Sequence, residues 1–285
     1  MLNLIRMNLF KMVHTKSIIV VFAVLMVFSN ISSCLTADES QEMVKDIQKG
    51  EVTLYSSDDL SASFGIYVDT PVRSDGTLKE YVYVYCSDLN SGLLLLFILI
   101  GAVLFFRGDE KNGFIKNIAG QTKHKYNILL SKLVAVGVYT FVCMLCYMLI
   151  GYLSFATGVA LVDGGISFGI EYLPEAIKIF ALQYLLYMAF ISGLLLITEV
   201  TKSTAVGITA GSFGIMGFGM LFVTISQKVF NTDFDISKYY INTNISKVNM
   251  DAGADIIKFA LVIGIVYFII YNALNILWFS KKDIV

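Results

Sequence analysis

Six apolar runs constrain what this chain can fold into. They occupy residues 17–36, 89–106, 126–157, 176–198, 204–226 and 256–280. A helix needs about 20 apolar residues to cross the hydrocarbon of a bilayer, and most of the runs approach or exceed that length; 89–106 is the short one. Composition points the same way. Charged residues make up 15% of the 285, where a soluble domain carries roughly 25%. The expected fold class is an all-α polytopic membrane protein with six transmembrane helices and a small extracytoplasmic α+β cap between helices 1 and 2. The first run follows a basic segment and no small-residue cleavage site follows it, so it reads as a retained anchor.

The few charges are segregated. The N-terminus, residues 107–132, residues 199–203 and the C-terminus hold Arg6, Lys11, Lys16, Arg107, Lys111, Lys116, Lys123, Lys125, Lys132, Lys202, Lys281 and Lys282. The acids among them are Asp109, Glu110, Glu199 and Asp283. The alternate segments hold Asp38, Glu39, Glu42, Asp46, Asp58, Asp59, Asp163, Glu171, Asp233 and Asp235. Short basic loops resist translocation, so both termini are expected on the cytoplasmic side of the plasma membrane. Residues 1–16 are too short to span and too basic to bury, which fits an interfacial helix on the inner leaflet.

Residues 107–125 are the most informative polar segment. Asp109 and Glu110 suit a helix N-terminus, where carboxylates complement the dipole. Phe114, Ile115 and Ile118 form a narrow apolar stripe, with Lys111, Asn112, Lys116 and Asn117 facing the other way and Gly120 as a stop. The pattern predicts a short amphipathic helix at the inner membrane surface. On charge alone, a solvated loop that only sets topology is equally consistent.

Residues 37–88 are too long for a plain connection. A helix over 39–48 ending at Gly50 is expected, then strands over 51–56, 63–69 and 80–86 with a hairpin turn at Ser74-Asp75-Gly76. Cys34 and Cys86 flank this cap; they either form a disulfide that pins its two stems or remain two thiols. Residues 227–255 carry Phe230, Phe234, Ile236, Tyr239, Tyr240 and Ile241, consistent with a headgroup belt, partly re-entrant helices or ordinary surface structure.

Much of the chemistry is read by exclusion. The chain has no G-x-x-x-x-G-K-[ST] phosphate loop, and no intramembrane His, Cys and Glu set has metal spacing. No catalytic residue is expected, and Ser212 has no membrane histidine as base. Lys132, Glu199 and Lys258 lie near span ends, where they are expected to snorkel. Ion-driven pumps place ionisable groups at mid-depth; without them, energy is expected from another subunit. Gly207, Gly211 and Gly214 make a nearly side-chain-free face for packing within the subunit or across a dimer. Gln183, Asn272 and Asn275 either glue helices together or line a polar path.

Within residues 106–132, Glu110, Gly113 and Lys116-Asn117 precede a basic patch and the sequence ILLSK at 128–132. With six spans and an N-terminal interfacial helix, this resembles the permease subunit of a type-2 ATP-binding-cassette exporter of the antimicrobial-peptide or lantibiotic-immunity kind. The resemblance implies that Asp109, Glu110, Lys111, Phe114, Lys116, Asn117 and Ile118 form a coupling helix. That helix would dock on a separate ATPase subunit, with Phe114 and Ile118 toward the membrane. It further implies ATP and Mg in that partner, none in this chain, and a second permease subunit, identical or homologous. Membrane lipid would surround the spans, with no role for nucleic acid. The implied function is export of an amphipathic or hydrophobic substrate, a peptide among the options. The long cap departs from the plainest members, and a non-transporting sensor or scaffold whose cap binds a ligand is the alternative.

Overall fold

The computed structural model describes residues 1–49, 82, 86, 88–90, 92–111, 125–160, 172–217, 225, 228 and 236–281, and among these there is no strand. The helices are α1 (Leu2–His14), α2 (Lys16–Lys49), α3 (Gly92–Lys111), α4 (Tyr126–Ala160), α5 (Leu173–Thr201), α6 (Thr204–Ile215), α7 (Ile241–Lys247) and α8 (Ala254–Lys281). Single 3-10 turns lie at Asp88–Asn90 and Ile236–Tyr239. Four helical stretches are long and apolar enough to cross a membrane: Lys16–Leu35, Tyr126–Ser154, Leu173–Thr201 and Ala254–Lys281. Two further apolar helices, Gly92–Gly108 and Thr204–Ile215, are shorter.

Local chemistry sets several boundaries. Pro174 sits in the first turn of α5 beside Glu175, where a fixed φ and a carboxylate both suit a helix start. Lys202 ends α5 in the left-handed region at φ 53°, and Ser203 then caps α6 by accepting from the Val206 N–H at 3.4 Å. The α5–α6 connection is therefore a tight reversal at 202–203. α6 stops after 12 residues, where Met216 N–H turns back to the Ser212 carbonyl, Gly217 N–H to the Gly214 carbonyl, and Gly217 takes φ +78°. Within the span expected over 204–226, residues 218–224 lie outside the described residues and Ile225 is again helical.

Two other expectations change. Residues 16–49 contain no Gly or Pro, and α2 runs through them unbroken, so the first span and the helix expected over 39–48 are one rod. The expected strands over 51–56 and 63–69 and the turn at 74–76 lie outside the described residues. Within 80–86, Val82 and Cys86 are helical, not extended. Cys86 is buried with its thiol 3.7 Å from the Ala176 carbonyl, so contact with the start of α5 overrides local strand preference.

α5 lies at the centre, mostly buried, and α8 is the most exposed of the long helices. Contact order gives the directions. Leu185 meets Gly264 and Gly193 meets Tyr271, so α5 and α8 run parallel. Gly207, Gly211 and Gly214 meet Thr198, Leu194 and Phe190 in turn, so α6 runs antiparallel to α5. Tyr184 donates to Gly137 O at 3.2 Å while Phe141 rests edge-on against Phe180, so α4 also opposes α5. Arg107, Lys132, Lys202 and Lys281 consequently gather at one end of the bundle, termed here the basic end.

Lipid gives apolar helices no reason to prefer each other over acyl chains, so seams depend on close packing and polar bonds. The α2–α4 seam has both. Ser29 donates to Tyr147 O at 3.2 Å, Asn30 donates to Ser154 Oγ at 2.7 Å, and Ser29, Ser32 and Ser33 are buried. At the basic end, Asn8 of α1 donates to Ser131 Oγ at 2.8 Å, holding α1 against α4. Leu2, Phe10 and Val13 of α1 stay exposed, as do Val262, Val266 and Ile269 of α8 and Leu145, Leu149 and Leu153 of α4.

A double-mutant cycle on Asn30→Ala and Ser154→Ala should give a coupling of about 0.6 kcal/mol and no more than about 1.7 kcal/mol. Unfolding in mixed micelles measures it; strict additivity would mean that packing alone holds the seam.

Candidate functional site

The two short helices organise the site. α3 and α6 pack antiparallel, and the missing side chain of Gly211 admits Leu99. A Cβ on Gly92 would lie 2.8 Å from Ile215 Cγ2, so the start of α3 and the end of α6 share one level. From Gly92 to Arg107 is 15 residues, a rise of about 22 Å.

The 3-10 turn at Asp88–Asn90 and α7 lie at the end where α3 starts and α6 stops. Leu89, Ile241, Ile245 and Val248 are buried there. Helix ends and 3-10 turns leave carbonyls without intrahelical partners, and side chains from the surrounding elements supply donors. Gln183 Nε2 donates to Ile245 O at 2.9 Å and Val248 O at 2.7 Å, closing the C-terminus of α7. Tyr187 donates to Leu89 O at 2.6 Å, and Asn90 Nδ2 to Ser246 O at 3.4 Å. Tyr240 donates to Gly214 O at 3.1 Å and Asn242 Nδ2 to Ile215 O at 3.2 Å, both at the end of α6. Asn244 Nδ2 ties Lys238 O and Tyr240 O at 2.8 and 2.9 Å. The result is a closure held by neutral donors over the ends of α3 and α6.

The basic end holds a second cluster. Lys132 was expected to snorkel but is 1% exposed. Its ammonium donates to Phe106 O at 2.9 Å and lies 5.0 Å from the Phe106 ring centroid. The carbonyl and the ring face replace part of the water an ammonium would otherwise keep. Glu199 is likewise buried, at 2% exposed, whereas Lys258 is exposed. Arg107 donates through Nη2 to Lys202 O at 2.7 Å, joining the end of α3 to the α5–α6 turn. Periodicity was the available signal for Lys132: it lies three and four residues after the buried Leu129 and Ile128, on the inward face.

The other residues singled out from sequence are placed as follows. Asp109, Glu110 and Lys111 form the end of α3, while Phe114, Lys116, Asn117 and Ile118 lie outside the described residues. Gly207, Gly211 and Gly214 face Thr198, Leu99 with Leu194, and Phe190 with Tyr240, all within this chain. Gln183 belongs to the closure. Asn272 Nδ2 donates to Ser192 Oγ at 3.2 Å and Asn275 Nδ2 to Ser192 O at 2.9 Å, so both tie α8 to α5. Cys34 is exposed and Cys86 buried. Asn242, Asn244 and Asn30 were not singled out beforehand, although amides in apolar surroundings carry a signal of their own.

The model of a family described as "Protein of unknown function (DUF2705)" matches residues 43–285, the whole of the site included. No curated protein matches the sequence.

Replacing Gln183 by Met removes both donors to α7 while keeping the volume. Leaving buried carbonyls unpaired costs about 1–3 kcal/mol, so amide exchange over 241–248 should rise about tenfold or more, read by mass spectrometry. Gly211→Val should cost about 1–3 kcal/mol by driving a side chain into Leu99. Gly253→Ala meets open space within 4 Å and serves as the neutral comparison in the same unfolding assay.

Proposed function

The chain belongs to the DUF2705 family, and we propose that it is the membrane-spanning permease subunit of an ATP-driven exporter. The observation that carries the reading is the gathering of the basic residues at one end of six alternating apolar helices, beside both stems of the 112–124 segment. In this reading all six helices span, α3 and α6 with help from the closure, and the basic end faces the cytoplasm of the cell. α1 lies along the inner leaflet, with Leu2, Phe10 and Val13 toward lipid.

Residues Asp109, Glu110, Lys111, Phe114, Lys116, Asn117 and Ile118 then meet a separate ATPase, which binds ATP and Mg. A second permease subunit completes the membrane part. ATP-driven movement of the 107–125 segment shifts the helices between states, and α7 closes the opposite mouth over α3 and α6. The apolar spans suit an amphipathic or hydrophobic substrate, a peptide included. A second reading, a sensor or scaffold, draws support from α2, which joins the bundle to residues beyond the membrane as one unbroken helix.

Purification in mild detergent from cells co-expressing the neighbouring genes tests the proposal. A stoichiometric nucleotide-binding ATPase should accompany the chain; its absence with a folded protein would favour the sensor. In the complex, Lys116→Glu should lower substrate-stimulated ATP hydrolysis about fivefold or more. Unchanged stimulation would remove that segment from the mechanism.

A further inference from the structure

We infer that α6 is a transmission rod that couples the ends of α3 and α4 at the basic end, the stems of the 112–124 segment, to the α7 closure at the other end. The inference concerns movement inside this chain and holds whichever partner meets the segment, so it does not rest on the ATPase.

The first link is a clasp at the basic end. Lys132 at the start of α4 donates to Phe106 O near the end of α3. The 112–124 segment joins these same two helices, so its stems are bonded to each other. The next residue, Arg107, donates to Lys202 O at 2.7 Å, and Lys202 is the left-handed residue of the two-residue turn that starts α6. A displaced stem therefore pulls on the first turn of α6 through a charge-assisted bond, which is stronger than a neutral one.

The rod itself is short. Its 12 residues carry a capped start, and Thr209 and Ser212 bond back to the Ala205 and Ile208 carbonyls of the same helix at 2.8 and 2.9 Å. Gly207, Gly211 and Gly214 place its backbone against α5 and α3, with no Cβ between. Motion at one end is then carried by hydrogen-bonded backbone rather than absorbed by side-chain rotation.

The far link is formed by the carbonyls of Gly214 and Ile215, the last two residues of α6. They accept from Tyr240 and Asn242, which flank and begin α7. From Lys202 to Ile215 is 13 residues, so the two linkages are about 20 Å apart along one helix. Both use carbonyls at or just before the helix boundaries, where the intrahelical ladder leaves acceptors available.

Amide exchange on the full-length protein in lipid nanodiscs tests the rod from both ends. Arg107→Met should raise exchange over 241–248 roughly threefold or more, although it lies at the opposite end. Coupling is reciprocal, so Tyr240→Phe, which removes one hydroxyl and keeps the ring, should raise exchange over 107–111 and 125–128 to a similar degree. Exchange over 29–33 in the α2–α4 seam should stay unchanged in both variants. Loosening confined to the mutated end overturns the inference, as does loosening of the seam, which would mark general destabilisation. If Arg107→Met fails to fold, Tyr240→Phe decides the matter alone. Transmission in a chain that brings no ATPase would uphold the rod while ending the exporter reading. An ATPase-bound complex without transmission would do the reverse.

Discussion

In hydrocarbon an unpaired carbonyl has no water to accept from, and this single constraint shapes both ends of the bundle. Beyond the start of α3 and the end of α6, the surrounding elements bring hydrogen-bond partners to the backbone carbonyls. Gln183, Tyr187, Asn90, Tyr240, Asn242 and Asn244 supply those donors, and each donates to a backbone carbonyl. At the basic end the donors are Lys132 and Arg107, and the acceptors are the carbonyls of Phe106 in α3 and Lys202 in the α5–α6 turn. The charged donors stand where the bundle meets the polar segments, and the neutral donors stand where it closes.

The seams between helices follow from the absence of a hydrophobic drive in lipid. α5 reaches its central position through three kinds of contact. Glycines bring α6 onto it, Ser192 takes the amides of Asn272 and Asn275 from α8, and Tyr184 reaches the Gly137 carbonyl of α4. The α2–α4 pair relies on serines and Asn30 instead. These polar ties specify register, which apolar surfaces facing lipid on their other side would leave loose.

Joined together, these contacts divide the molecule by role. The proposed partner-facing segment is stapled to the α5–α6 turn, and the closure hangs from the opposite end of α6. The helix with the fewest side chains on its packed face lies between them. A thin contact of this sort, α6 backbone against α5 and α3 side chains, suits an element proposed to carry movement, whereas the amide-tied α5–α8 pair suits a fixed frame.

Uncharged apolar runs, by themselves, determined that the described chain is helical, and charge placement determined which helix ends share a face. Both are properties of short windows: a 28-residue stretch such as Ala254–Lys281 can satisfy its backbone only as a helix. The sequence also marked the glycine face of α6 and the amides of α5 and α8, because small and polar residues are conspicuous in apolar context. It misjudged elements whose limits depend on neighbours. α6 ends at Ile215 despite an apolar sequence beyond, and residues 82 and 86 are helical despite strand-like composition. Tertiary structure alone decided that Lys132 is buried and that Arg107 reaches Lys202. The reason is physical: a window records a residue's own preference for water, but the partner that replaces water for Lys132 lies 26 residues away and for Arg107 lies 95 away.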